Sequence, residues 1–292
     1  MITIFTPTYN RSVLLERIYD SLIIQNNKDF EWLIVDDGSM DNTKEVVQKW
    51  IDEDKIKIRY IYQKNQGKYV AFNTGVNNAN GELFFCVDSD DFLPNNAIEL
   101  IYKAWSKNTY ENIAGIIALK ENTNGERLSD ALPNSINKSS AYNLAFVHNC
   151  RGEWSLIYRT DILRNNLFPV ISGEKFITEC VVYDKIDLNF ELILLNEVLT
   201  ICEYQSDGLT SSIFSTMLKN PTGYKIFYNQ RIDMAYTISE RLGYIIRYNA
   251  FDILSKDNSF NYNGKYKLLV RMLKPLGWGL TKYYNYKKVT IK

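Results

Sequence analysis

The sequence is short of cysteine and histidine and has no long apolar run, and each shortage removes a class of protein. The four cysteines, Cys86, Cys150, Cys180 and Cys202, lie far apart with no CxxC or zinc spacing. A reduced, cytoplasmic protein is therefore expected rather than a disulfide scaffold. No run of about 18 apolar residues occurs, so no helix is expected to span a membrane. Met1 leads straight into Ile2-Thr3-Ile4-Phe5 without a basic or apolar leader, which predicts no signal peptide. Neither GxGxxG after the first strand nor GxxxxGK[ST] is present, and nicotinamide-binding and P-loop readings lose support. Internal repeats and low-complexity tracts are also missing.

What is present is a chain of 292 residues, 46% hydrophobic, enough to bury a sizeable core. The formal net charge of zero hides a division. From Lys219 onward 14 Lys and Arg face four acids, Asp233, Glu240, Asp252 and Asp257. Of the 34 basic and 34 acidic residues in the chain, 20 and 30 then remain in 1–218. A boundary near residue 218 follows, with different partners expected on its two sides. The 21 tyrosines suit sugar stacking or a membrane boundary, but equally an ordinary core.

Up to residue 90 the apolar pattern alternates between strand and helix. Short apolar runs at 2–5, 32–35, 56–61 and 83–87 read as strands, the third with Lys57 and Arg59 alternating as on an edge. Helical spacing at 12–24, from Asp41 to Ile51 and at 68–79 fills the intervals. This order predicts an α/β fold with a mainly parallel sheet flanked by helices. Ligands of such sheets bind beyond the carboxyl ends of the strands. All four polar clusters of this half fall there: 6–11, 36–39, 65–68 and 88–91. Beyond Asp91 the pattern predicts a helix at 97–105, a buried strand at 113–119, and a long polar loop at 121–140 able to move over a site. A strand at 154–158 and a helix at 181–189 follow, and helical patterns resume from Pro221.

Asp88-Ser89-Asp90-Asp91 places three carboxylates in four residues at a strand end. Such a cluster must be solvated or neutralised, and its oxygens suit Mg²⁺ or Mn²⁺ shared with substrate phosphates. In isolation it would be an acidic turn, but its place beside three other polar loops favours a metal–diphosphate site. In Asp36-Asp37-Gly38-Ser39 a carboxylate can accept the imide N–H of a uracil, and Gly38 permits a tight turn. Asn65-Gln66-Gly67-Lys68 offers a glycine for close approach and a lysine for phosphate charge.

Together with Thr6-Pro7-Thr8-Tyr9-Asn10-Arg11, these motifs resemble, in order, the nucleotide-sugar half of a family 2 glycosyltransferase. The resemblance covers about the first hundred residues. It implies a GT-A fold over 1–218, with a donor half at 1–100 and an acceptor half at 101–218, followed by a basic helical region at 219–292. It also implies a nucleoside-diphosphate sugar donor, often UDP-linked, and Mn²⁺ or Mg²⁺. By that similarity Pro7, Tyr9 and Asp37 hold the base, with Arg11, Asn65, Gly67, Lys68 and Ser89 nearby. Asp88 and Asp90 contact ribose and metal, with Asp91 alongside. The family's catalytic carboxylate often sits in a Glu-Asp pair opening a helix; here Cys180 follows Glu179, which leaves Glu179 as the expected base and Asp184 and Glu153 as fallbacks. The family's later Tyr-Arg and His have no counterpart in 203–211, and His148 is expected to be structural or an acceptor contact.

The 265–292 segment mixes Lys267, Arg271, Lys274, Lys282, Lys287 and Lys288 with Leu268, Leu269, Met272, Leu273, Leu276 and Trp278, and Tyr283, Tyr284 and Tyr286 follow. It suits an anionic membrane surface at the inner face of the cell membrane. A helix packed on the catalytic domain with a solvated basic face is the alternative. Nucleic acid is a poor fit to the acidic remainder. The reading is an inverting sugar transferase acting on a glycan or lipid-linked glycan. Its rivals are a sugar nucleotidyltransferase, for which 6–11 lacks a glycine, and a glycan- or partner-binding protein with a degenerate GT-A domain.

Overall fold

The expected strand–helix alternation is what the first ninety residues form. A computed structural model describes residues 1–107, 111–203, 213–255 and 257–290, without the side chains of 289 and 290. The chain divides into two compact units, 1–167 with 186–205, and 168–185 with 206–292. A division at residue 218 would assign 168–185 and 206–218 to the first unit instead.

In the first unit β1 (Ile2–Thr8), β2 (Phe30–Asp36), β3 (Ile58–Tyr62) and β4 (Leu83–Cys86) form the parallel part of one sheet. The helices α1 (Ser12–Ile23), α2 (Thr43–Glu53) and α3 (Lys68–Asn78) connect them. The sheet continues through β5 (Asp91–Phe92), β6 (Ile113–Asn122), β7 (Lys138–Ser139), β8 (Trp154–Arg159) and β9 (Glu191–Cys202), in the order β3-β2-β1-β4-β8-β6-β9-β5, with β7 on β9. β3 is an edge strand, as its alternating cations suggest. β8 runs antiparallel to both β4 and β6, which makes the sheet mixed rather than wholly parallel. The remaining helices of this unit are α4 (Ala97–Trp105), α5 (Ala141–Phe146) and α6 (Thr160–Arg164).

β1 and β2 are buried along their whole length because helices cover both faces. Ile2 and Ile4 share one core with Leu15, Ile18 and Leu22 of α1. Phe5 stacks on Phe84 with ring centroids 5.0 Å apart, and α3 comes close because Gly75 lies against the Phe5 ring. Each fully buried side chain of this size contributes about 1.5–3 kcal/mol. At the amino ends of the strands Glu31 is fully buried yet satisfied by Thr3 Oγ1 at 2.7 Å, Asn80 N–H at 2.7 Å and Arg59 at 3.2 Å. That end is closed with polar groups of the chain itself, and the carboxyl end carries the loops.

Residues 121–140, expected as a loop, are partly ordered by pairing. β6 runs on to Asn122, whose Oδ1 accepts the N–H groups of Asn124 and Glu126, and Gly125 (φ +78°) turns the chain back. Glu121 then bridges to Arg127, and Ser140 caps α5 by accepting from Asn143 N–H.

In the second unit, α7 (Cys180–Asp187) begins within 168–185 and ends in the first unit's 186–205. Its other helices are α8 (Ile213–Lys219), α9 (Pro221–Met234), α10 (Ile238–Ser255), α11 (Lys267–Met272) and α12 (Lys274–Thr290). Many of the tyrosines are spent here: Tyr224, Tyr228, Tyr248 and Tyr262 build the core with Ile232, Ile245, Phe251 and Val270. Two of their hydroxyls have partners: Tyr262 donates to Asp233 at 2.8 Å, and Tyr248 accepts Tyr262 N–H at 2.8 Å. α12 crosses α10 closely at Gly277, where a Cβ would come 2.3 Å from Asn249 Cβ. Among the described residues no helix is long and apolar enough to cross a membrane.

Candidate active site

At the carboxyl ends of β1 to β4 the four polar loops hold one another in a closed circuit. Asn10, in the left-handed region at φ +52°, donates its N–H to Ser39 Oγ (2.8 Å) and accepts Met40 N–H (2.7 Å). This ties the loop after β1 to the loop after β2. Gly38 (φ +89°) lies against Asn65, where a Cβ would be 2.8 Å from the backbone nitrogen. The buried Asp37 accepts from Gln66 N–H (2.9 Å), Gly67 N–H (2.7 Å) and Gln63 Nε2 (2.7 Å), and so shapes the loop after β3. Gly67 (φ +100°) opens α3 and sets Lys68 at its first position. Lys68 Nζ reaches both oxygens of Asp88, at 2.7 and 2.9 Å. Arg11 closes the circuit, its Nη1 lying 3.0 Å from Asp90 Oδ2 and 3.4 Å from Ser89 Oγ.

Most of the donor-side residues singled out by sequence therefore meet in one place: Arg11, Asp37, Asn65, Gly67, Lys68, Asp88, Ser89 and Asp90. Pro7 is buried at the end of β1, and Tyr9 stands 44% exposed beyond it. Asp36 is structural. It accepts Ser39 N–H at 2.7 Å and the Tyr60 hydroxyl at 2.6 Å. The buried Thr8 Oγ1 has no hydrogen-bond partner among the described residues, and its place is the strand end facing these loops.

Each carboxylate of the acidic cluster has its own cation. Burial would raise the Asp88 carboxyl, but Lys68, Lys120 and Arg11 outweigh it and hold it below the ordinary range. Asp91 is buried more deeply, and desolvation with the nearby Asp88 and Asp90 charges pushes it up to about 6 although Lys120 opposes the shift. Lys120 Nζ lies 3.4 Å from Asp91 Oδ2. Sequence reasoning missed Lys120; the signal was a lysine directly after the seven buried residues Ile113 to Leu119 in β6. Asp91 also pairs across strands with Cys202, whose thiol is pushed up by burial. Arg17, likewise missed, covers the Phe92 ring at 4.6 Å and pairs with Glu203. Among the described residues no three His, Cys, Asp or Glu side chains form a ready-made metal cage. Asp88 and Asp90 nonetheless offer half-buried hard oxygens of the kind that Mg²⁺ and Mn²⁺ take together with phosphates.

Of the acceptor-side candidates, Glu179 and Asp184 belong to the second unit. Glu179 directly precedes α7, and its carbonyl accepts the N–H groups of Val182 (3.0 Å) and Tyr183 (3.1 Å). It sits half-buried at the positive end of that helix. Asp184 is buried with both oxygens on the Arg231 guanidinium, one at 2.8 Å, which commits it to an ion pair and makes it a poor base. α9 also holds the chain leading to Glu179. Glu174 accepts from Thr222 N–H (2.6 Å) and Gly223 N–H (2.8 Å), Asn220 accepts from Lys175 N–H (2.8 Å), and Gln230 Nε2 donates to Val181 O (3.1 Å). In the first unit, Glu153 and His148 are exposed. Residues 204–211, where the missing Arg and His were sought, lie outside the described residues.

The model of the family described as Glycosyl transferase family 2 matches residues 3–167, more than half of the chain. The chain belongs to glycosyltransferase family 2. The glycosyltransferase GlyA of Streptococcus pneumoniae is 39% identical over 102 residues, 35% of this chain and 14% of that protein. The GalNAc(5)-diNAcBac-PP-undecaprenol beta-1,3-glucosyltransferase of Campylobacter jejuni is 30% identical over 173 residues, 57% of this chain and 54% of that protein. The chain thus spans about half, or less, of the curated relatives it matches. S. aureus TarS 1-349 in complex with UDP-GlcNAc superposes with a TM-score of 0.58 over 100% of this chain and 92% of that one, at 16% identity. The Pyrobaculum calidifontis mannosyltransferase in complex with GDP-Man and Mn²⁺ gives 0.54 over 97% and 84%, also at 16%. The fold of this family 2 glycosyltransferase is GT-A.

Proposed function

We infer that this glycosyltransferase moves a sugar from a UDP-linked donor to an acceptor hydroxyl with inversion, in glycan or cell-surface polysaccharide synthesis. The observation that carries the reading is the closed circuit of four loops, which sets Asp88 and Asp90 beside Arg11 and Lys68. Carboxylates and cations so interleaved suit a diphosphate with its counter-ion better than a neutral ligand. The uridine choice is supported by the shared fold of TarS with UDP-GlcNAc, and a lipid-linked acceptor by the name of the Campylobacter jejuni relative.

Asp88 and Asp90 would hold Mn²⁺ or Mg²⁺, which supplies positive charge to the departing diphosphate. Arg11 and Lys68 reach toward the same phosphates and are held in place beforehand by their aspartates, so little ordering is left for the moment of binding. Tyr9 and the unpartnered Thr8 hydroxyl border the donor. Glu179 takes the proton from the acceptor hydroxyl, whose oxygen attacks the anomeric carbon on the face opposite the diphosphate. The new bond therefore has inverted configuration. Work at the inner face of the cell membrane fits a lipid-linked acceptor.

The test separates donor from base. Calorimetry is expected to show UDP binding that strengthens with Mn²⁺. Glu179→Gln is expected to keep that binding while transfer falls by about 10²- to 10⁴-fold, the usual share of a general base. Transfer by Glu179→Gln at the wild-type rate would remove Glu179 from the mechanism.

A further inference from the structure

The pair α11–α12 has two apolar faces, and the core uses only one. Val270, Gly277 and Thr281 are buried, Thr281 donating to Ala250 O at 3.2 Å and Tyr284 lying 5.9 Å from the Phe251 ring. On the opposite side Leu268, Met272, Leu276, Gly279, Tyr283 and Tyr286 recur at intervals of three and four residues. All six are exposed, the five side chains by 54% to 72%. That spacing lines one stripe along a helix. Lys267, Arg271, Lys274, Lys282, Lys287 and Lys288 are exposed along the same segment, and no Asp or Glu follows Asp257. Trp278, 54% exposed, has Lys282 Nζ 3.8 Å from its ring centroid, so one side chain presents both a ring and a charge.

We propose that this outer face docks flat on an anionic lipid bilayer, the stripe entering the headgroup boundary and the lysines meeting the phosphates. Charge selects the occupant. A second copy would set the same cations against themselves, whereas an anionic surface neutralises them. Residue type agrees, since Trp and Tyr favour the interface and lysine stems lie along apolar surface while their ammonium groups stay in water. The proposal rests on the membrane setting given under Proposed function, and it names the surface responsible.

Deleting 265–292 would not be a fair test, because the inner face of α12 covers the core and its loss would unfold the unit. The full chain is instead sedimented with vesicles of phosphatidylcholine alone or mixed with phosphatidylglycerol. Wild type is expected to bind only the mixed vesicles. Lys267→Gln, Arg271→Gln and Lys282→Gln together, the cations flanking the stripe beside Trp278, are expected to weaken that binding about a hundredfold, the factor three cations near an anionic surface carry. Leu276→Ser with Tyr283→Ser is expected to weaken it about tenfold through lost apolar burial. Both variants should keep the wild-type melting temperature and UDP affinity. Equal retention on the two vesicle types, or variants that bind as wild type does, overturns the proposal. So does a solution dimer that Leu276→Ser with Tyr283→Ser dissociates, which assigns the face to a second copy. Loss of UDP binding in wild type would instead sink the donor reading and leave the vesicle result standing.

Discussion

Asp37 was read from sequence as an acceptor for a uracil N–H, and the structure gives it three donors from its own chain. Asp37→Asn separates the two roles. One carboxylate oxygen takes Gln66 N–H and Gln63 Nε2, and the other takes Gly67 N–H, so an amide in place of either oxygen points N–H at N–H. Hydrogen bonds to a charged group contribute about 1.5–3 kcal/mol, and a buried donor left unsatisfied costs about 1–3 kcal/mol. One bond lost outright and the others weakened to neutral strength give an expected loss of about 3 kcal/mol in urea unfolding. Gly67 opens α3 and Lys68 holds Asp88, so the loosened loop should also weaken UDP binding, by about tenfold, since 1.4 kcal/mol is a factor of ten. A variant as stable as wild type would refute the anchoring role. Undiminished stability with UDP affinity reduced more than tenfold would return Asp37 to the nucleobase.

Asp91 makes stability depend on pH. Its carboxyl titrates at about 6 in the folded chain against an ordinary 3.8, so between those values the folded state holds a proton that the unfolded state has released. Stability from this group is therefore lost as pH rises from about 4 to about 6, and Asp91→Asn should be more stable than wild type by about 2–3 kcal/mol at pH 7.5 but not at pH 4. Urea titrations at the two pH values check this, and an equal effect at both would contradict it. Arg231→Met leaves Asp184 buried without its partner and should cost about 3–5 kcal/mol, whereas Asp184→Leu with Arg231→Met should recover most of the loss. A single variant costing under about 1 kcal/mol would show that the pair contributes no such stability.

The donor half was legible because a parallel α/β unit leaves its loops at one end and its glycines where the backbone must turn. Gly38 and Gly67 both have φ near +90° or above, and both sit in motifs chosen from sequence. The helix at 97–105 was also placed correctly, its apolar face being plain. What was not legible depended on long-range pairing. β5 and β7 have two residues each, too short for any period, and exist only because β9 offers an edge to both. Lys120 lies just past the strand read at 113–119, and only the register of β6 beside β9 brings it to Asp91. Arg231 lies within the helical pattern that resumes at Pro221, and its meaning comes from Asp184, 47 residues earlier. Asp184 in turn stood as a fallback base until the ion pair was visible.

The charge division at residue 218 has a different meaning once 168–185 is seen to fold with the C-terminal helices. A basic tail appended to a finished catalytic domain would leave Glu179 on the catalytic side. Instead Glu174, Asn220, Gln230 and Arg231 fasten the stretch on either side of Glu179 to α9, and α9 shares its core with α10 and α12 through Tyr224, Tyr228 and Phe251. The carboxylate read as the base and the face read as membrane-docking are thus parts of one packed body, joined by buried rings rather than by a linker. A substitution in that core, such as Phe251→Ala, removes a fully buried ring and should cost about 3–5 kcal/mol. It should lower transfer and vesicle binding together while UDP binding, proposed for the loops of the first unit, persists. A linker-like tail would lose vesicle binding alone, and a fall in UDP affinity would mean that the donor site depends on the second unit as well.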